Sequence, residues 1–188
     1  MEGVKKAVAS FFDFLQGIVV IMALLVMVYL FIMSPQEVNG ESMEPNFHNS
    51  EYILTNKVTY KFRQPKRGDV IIFKSWKNKD VDYIKRVIGL PGDTIELQHN
   101  AIYVNGQKLE EPYLSPNVAI FGGSFLQEDQ PTVIPDNSLF VSGDNRPHSS
   151  DSREFGPVAE SDIIGVVILR YWPFSQFGVI NRPSYNIQ

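Results

Sequence analysis

Residues 14–33 constrain this chain more than any other stretch, because about 20 nearly unbroken apolar residues make a helix that crosses about 30 Å of hydrocarbon. No charged side chain occurs from Phe14 to Gln36. A buried core helix of this length would carry a polar face, and this run offers only Gln16. A cleaved secretory signal has a shorter apolar region that ends in small residues. The sequence Ile32-Met33-Ser34-Pro35-Gln36 provides no good cleavage site. The run therefore reads as an uncleaved single-pass anchor in a cell membrane. Lys5 and Lys6 predict that 1–13 is cytoplasmic and that everything after Ser34 lies outside, and the single Asp13 does little against them.

Taking the anchor from a chain of 188 residues leaves 34–188, enough for one domain with its own core. There the hydrophobic period changes to two. Strands are predicted at 52–55, 69–74, 82–88, 94–97, 101–104, 138–142 and 163–171, with an Asn105-Gly106 hairpin signal after the fifth. The pattern weakens after Glu110, where Pro112, Pro116, Gly122-Gly123, Pro131 and Pro135 punctuate it, and a small inserted cap is expected at roughly 105–136. The fold class is mainly β: an N-terminal transmembrane helix, then a coiled, mostly antiparallel domain with one insertion. The net charge of −4 argues against a nucleic-acid partner. The absence of cysteine removes disulfides, thiol catalysis and Cys-based metal sites.

Two residues carry chemistry in this pattern. Lys85, in Tyr83-Ile84-Lys85-Arg86-Val87-Ile88, sits inside an apolar strand. Alternation places Tyr83, Lys85 and Val87 on one face and Ile84, Arg86 and Ile88 on the other, so one of the two cations is expected against apolar surface. A lysine there either snorkels along a half-exposed strand or is a desolvated amine whose lowered pKa makes it a general base. Ser42, in Gly40-Glu41-Ser42-Met43-Glu44-Pro45, follows the anchor by a few residues in a turn whose backbone N–H groups can polarise a carbonyl. A Ser-His-Asp triad competes. Of His48, His99 and His148, only His148 lies beside acids, Asp144 and Asp151. No pair of histidines has ligand spacing, so neither a metal nor another cofactor is expected. The run 144–153 is dense in hydrogen-bonding groups and reads either as a solvated loop or as support for the lysine.

Four segments in order carry a resemblance: Gly40-Glu41-Ser42-Met43-Glu44-Pro45; Arg67-Gly68-Asp69-Val70 with Phe73; Asp82 through Leu90-Pro91-Gly92-Asp93; and Gly143-Asp144-Asn145-Arg146 with Ser149 and Asp151-Ser152-Arg153. Together, behind an N-terminal anchor, they resemble the sequence boxes of bacterial type I signal peptidases, in their shorter Gram-positive style. The resemblance implies a membrane serine endopeptidase that removes signal peptides from exported preproteins, with Ser42 as nucleophile and Lys85 as general base. It implies Ser149 as the hydroxyl holding the lysine, and Asp151 and Arg153 as a structural ion pair. Gly40 stands where some members carry an oxyanion-binding serine, which leaves the Ser42 backbone N–H. Asn46 stands where the first box often has threonine. By the same matching Val38, Met43, Ile72, Asp82 and Ile84 border shallow pockets for small residues of Ala-x-Ala type. The implied partners are preprotein signal peptides and the phospholipid bilayer, near the secretion translocon. Tyr171-Trp172-Pro173-Phe174 and Phe177 are candidates for the headgroup region or for ordinary packing. A regulatory Ser/Lys protease and a non-catalytic β module that binds signal peptides are the competing readings.

Overall fold

The computed structural model describes residues 1–187. Helix α1 (Glu2–Phe31) buries none of its side chains and is long and apolar enough to cross a membrane. It begins well before the apolar run and ends before Met33, because Met33 already pairs with Asn56 in the first strand. Its last turn has no basic residue of its own. Lys57 supplies one: its backbone N–H donates to Ile32 O (2.8 Å), and its Nζ reaches Leu30 O (3.3 Å) and Tyr29 O (3.4 Å), where helix carbonyls are left without partners.

Strands follow as β1 (Met33–Glu37), β2 (Tyr52–Asn56), β3 (Val70–Lys74) and β4 (Asp82–Gly89), with a short α2 (Thr59–Phe62) after β2. Next come β5 (Thr94–Gln98), β6 (Ala101–Val104), β7 (Gln107–Lys108) and β8 (Thr132–Val133). The chain returns through β9 (Ser138–Ser142), β10 (Val158–Ala159), β11 (Ile163–Trp172) and β12 (Gly178–Val179). The main sheet runs β1-β2-β11-β3-β4-β9-β10, with β12 on β11. All of these strand pairings are antiparallel. β11 is the joining strand: Val166 faces Asn56 of β2 on one side and Ile71 of β3 on the other.

The part standing apart from this sheet is larger than the weak-pattern segment 105–136. Strands β5 to β8 form their own four-stranded sheet, in order β7-β6-β5-β8, so the excursion starts at Thr94. Period-two alternation marks a strand without saying which sheet it joins. The smaller sheet is held by a cluster of Ile88, Ile95, Leu97, Ile102, Leu126 and Phe140. Two further clusters cover the faces of the main sheet, one around Met43, Phe47, Ile72 and Ile84, the other around Ile71, Phe73, Val87 and Val141. β4 is thus covered on both faces.

Candidate active site

The turn after β1 is built to present Ser42. Gly40 adopts φ +99°, in the left-handed region that side chains disfavour, and donates its N–H to Asn49 Oδ1 (2.8 Å). Below the turn, Met43 and Phe47 are buried as apolar plugs, with Phe47 N–H donating to Met43 O (3.0 Å). From above, Asn145 closes it: its backbone N–H donates to Ser42 O (3.0 Å) and its Nδ2 to Glu41 O (3.0 Å). The Ser42 N–H makes no hydrogen bond among the described residues.

Lys85 arrives from β4. Its Nζ lies 2.7 Å from Ser42 Oγ and donates to Ile84 O (2.9 Å), and the residue is 4% exposed. Burial brings the amine down to about 8; Asp151 and Asp144 pull it back up, and Arg153 pushes it down. Arg86 is equally buried, so the expectation of one buried cation per strand was too low. Because β4 is central, its two faces demand two different solutions. Lys85 becomes a desolvated amine, whereas Arg86 stays charged and is neutralised by Asp144, through Nε to Oδ1 (2.8 Å) and Nη2 to Oδ2 (2.6 Å).

Half of the polar run 144–153 is buried: Asp144, Arg146, Asp151, Ser152 and Arg153. Asp151 accepts from Ser142 Oγ (2.8 Å), Gly143 N–H (3.0 Å) and Arg153 Nε (2.8 Å). Burial alone pushes the Asp151 carboxyl up. The Arg153 hydrogen bond and charge, with the Gly143 and Ser142 donors, hold it below its ordinary value. Arg153 continues to Arg146 O (2.7 Å) and to Phe121 O in the excursion (3.1 Å). Ser149 departs from its implied role. Its buried Oγ has no hydrogen-bond partner among the described residues, and the amine it was to hold is engaged by Ser42 and Ile84 instead. The hydroxyl rests against Gly143, where an added Cβ would meet Ser149 Oγ and Ser42 O at 2.3 Å each. Gly143→Ala is therefore expected to push the loop off the Ser42 turn. It should cost about 1–3 kcal/mol of stability and reduce activity further than that loss explains, as paired denaturation and rate measurements would register.

Other buried partners were not anticipated from sequence. Arg146 is buried against Glu111 of the excursion, with Nη1 donating to Oε2 (2.9 Å) and Nη2 to Oε1. The Tyr113 ring covers the Arg86 guanidinium at 4.2 Å. The carboxylates stand far along the chain from their arginines, and no local pattern links them.

A cleft of about 270 Å³ opens beside the pair. Although β1 and β4 are separated by three strands in the sheet, coiling brings their ends together, and Gln36 Nε2 donates to Asp82 Oδ2 across the seam (3.3 Å). Val38, Gly40, Ile72, Asp82 and Ile84 line the cleft together with Ser42 and Lys85. Met43 does not; it is 1% exposed and packs in the core beneath. His148 does line the cleft, but Asp144 is engaged by Arg86 and Asp151 by Arg153, and neither is bonded to the imidazole among the described residues. His48 pairs with Glu51 (3.1 Å) outside the cleft, and His99 sits in the turn between β5 and β6. Among the described residues no triad is assembled. A larger hollow of about 640 Å³, lined by Arg63, Asp69 and Arg182, contains neither Ser42 nor Lys85. Among the described residues no cluster of His, Asp and Glu is arranged to hold a metal ion.

Residues 11–172 match the family described as signal peptidase, peptidase S26. The chain is 40% identical over 176 residues to signal peptidase IB of Staphylococcus aureus strain COL, covering 88% of this chain and 91% of that protein. It is 43% identical over 155 residues to signal peptidase I of Bacillus caldolyticus, covering 79% and 84%. Among solved structures, a signal peptidase I from Enterococcus faecalis V583 aligns with a TM-score of 0.47 at 36% identity, covering 55% of this chain and 97% of that one.

Proposed function

Since this chain belongs to the signal peptidase family, peptidase S26, we propose that it removes signal peptides from exported preproteins with a Ser42–Lys85 dyad, cleaving after small residues. The observation that carries this reading is the 2.7 Å approach of Lys85 Nζ to Ser42 Oγ inside a desolvated site. With the amine near 8, roughly a tenth is neutral at pH 7, against under ~0.1% for an ordinary lysine. Neutral Lys85 takes the Ser42 proton as Oγ attacks the scissile carbonyl carbon, and the Ser42 N–H receives the oxyanion. The ammonium then protonates the departing amine, leaving an acyl-enzyme and a neutral lysine. Lys85 next deprotonates a water, which releases the signal peptide and restores Ser42.

An extended substrate fits the seam. β9 pairs with Arg86, Val87 and Gly89 of β4, which leaves the edge at Asp82, Tyr83 and Ile84 open. Opposite it, Val38 bonds back to Glu51 and Ser50, so the neighbouring peptide groups face the seam. Val38, Ile53, Ile72 and Ile84 supply a shallow apolar floor suited to Ala-x-Ala side chains. In this reading Lys5 and Lys6 stay cytoplasmic, and the catalytic domain stands outside, close to the translocon. Exposed Trp172, Phe174 and Phe177 rest in the headgroup layer of the bilayer.

The test is the pH dependence of kcat/KM on a peptide with an Ala-x-Ala site. The neutral amine is the active form, so the rate should climb about tenfold per pH unit below 8 and level off above it. A chemistry-limited rate that is flat from about pH 5 to 9 contradicts a lysine base.

A further inference from the structure

We infer that Asn46 is a positioning residue for this reaction: its carboxamide fastens the Ser42 turn to the Asp144–Arg86 ion pair beside Lys85 and to the excursion at Tyr113. The inference rests on the Ser42–Lys85 reading above.

Asn46 lies four residues past Ser42 in the same turn, its own N–H donating to Met43 O (3.1 Å). Its Nδ2 donates both of its protons, to Tyr113 O (2.9 Å) and to Asp144 Oδ2 (2.9 Å). Both neighbours are pure acceptors, which fixes the orientation of the amide. The Asn46 backbone carbonyl accepts from Arg170 Nη1 on β11 (2.9 Å), an arginine that Glu51 holds at 2.8 Å. The half-buried side chain thus ties together two parts of the fold remote in sequence, and the backbone of the same residue meets a third. A threonine at this position would have one hydroxyl proton and could serve one of the two acceptors.

The consequence reaches the dyad through a short rigid path. Asp144 holds Arg86, the residue after Lys85, while the Ser42 turn hangs on Asn46. Asn46 therefore sets how the serine side of the dyad sits against the lysine side. It also screens a charge. The groups facing Lys85 are Asp151, Asp144, Arg153, the Tyr83 ring at 5.4 Å, Ser42 Oγ and Ile84 O. Of these, Asp144 is the one whose field the carboxamide partly neutralises.

The experiment measures kcat, KM and pH profiles of the full chain in detergent on an internally quenched Ala-x-Ala peptide. Asn46→Ala should lower kcat by about tenfold to a hundredfold with KM little changed, since the loss is of geometry rather than of peptide contacts. Its acid limb should move up by a few tenths of a unit, because Asp144 then acts on Lys85 less screened. Asp144→Asn should move that limb the other way. Asn46→Thr, which keeps one donor, should recover much of kcat, and it carries the test if the alanine variant fails to fold. Wild-type kcat in both Asn46 variants overturns the inference. So does a rise in KM alone, or a fall in kcat with the limb unmoved and no recovery in Asn46→Thr. Ser42→Ala in parallel separates the two readings: if it stays active the dyad fails, and if it is dead while Asn46→Ala is normal only the present inference fails.

Discussion

Lys85→Met is expected to lower kcat by roughly 10²- to 10⁴-fold, the range that a positioned general base contributes. Ser42→Ala should do at least as much by removing the proposed nucleophile. Methionine has nearly the length of lysine and no charge, so it suits a position that is 4% exposed and lies over the Tyr83 ring. Folding should be unharmed or improved, since an amine forced down to about 8 is a group the site disfavours in its charged form. Lys85→Arg should be as inactive as methionine for a different reason. A guanidinium does not give up its proton in the working pH range, and it adds bulk where Ser42 Oγ already stands at 2.7 Å. Rate measurements paired with denaturation curves separate these effects. Activity of Lys85→Met within tenfold of the parent would remove the lysine from the mechanism.

The largest effect on stability is expected one residue further on. Asp144→Ala strands the Arg86 guanidinium in a site where both side chains are at most 5% exposed, and should cost about 3–5 kcal/mol. For a domain whose total is typically about 5–15 kcal/mol, that is a severe loss. The double replacement Arg86→Met with Asp144→Leu removes both charges together and should recover most of it, because a paired buried charge is worth little over a well-packed apolar pair. Urea unfolding of the three proteins in detergent reads the cycle directly. A single replacement that costs under about 1 kcal/mol would mean that water reaches Arg86.

Ser42 and Lys85 were legible because each breaks a local rule. A lysine inside the apolar run 82–88 and a serine in a glycine-containing turn just past a long apolar run each stand out, although either alone also admits a structural role. The long apolar helix was legible from the length of its run. What the sequence hid is everything that depends on pairing at a distance. Alternation separated Lys85 from Arg86, but it did not reveal that β4 is enclosed on both sides, which decides that Arg86 needs Asp144. Nor does any pattern near Asn46 point to Tyr113, 67 residues away. The roles of Ser149 and Met43 came by resemblance, and the packing differs at both: one hydroxyl faces Gly143 and one side chain lies under the cleft floor rather than along it.

The place of β11 has a bearing on how such an enzyme is made. Ser42 and Lys85 leave the ribosome well before the strand that sets β2 against β3, which spans Ile163–Trp172. Until then the two reactive groups belong to separate, unjoined hairpins. On the proposed Ser42–Lys85 mechanism, activity is therefore expected only after β11 has emerged and paired with both neighbours.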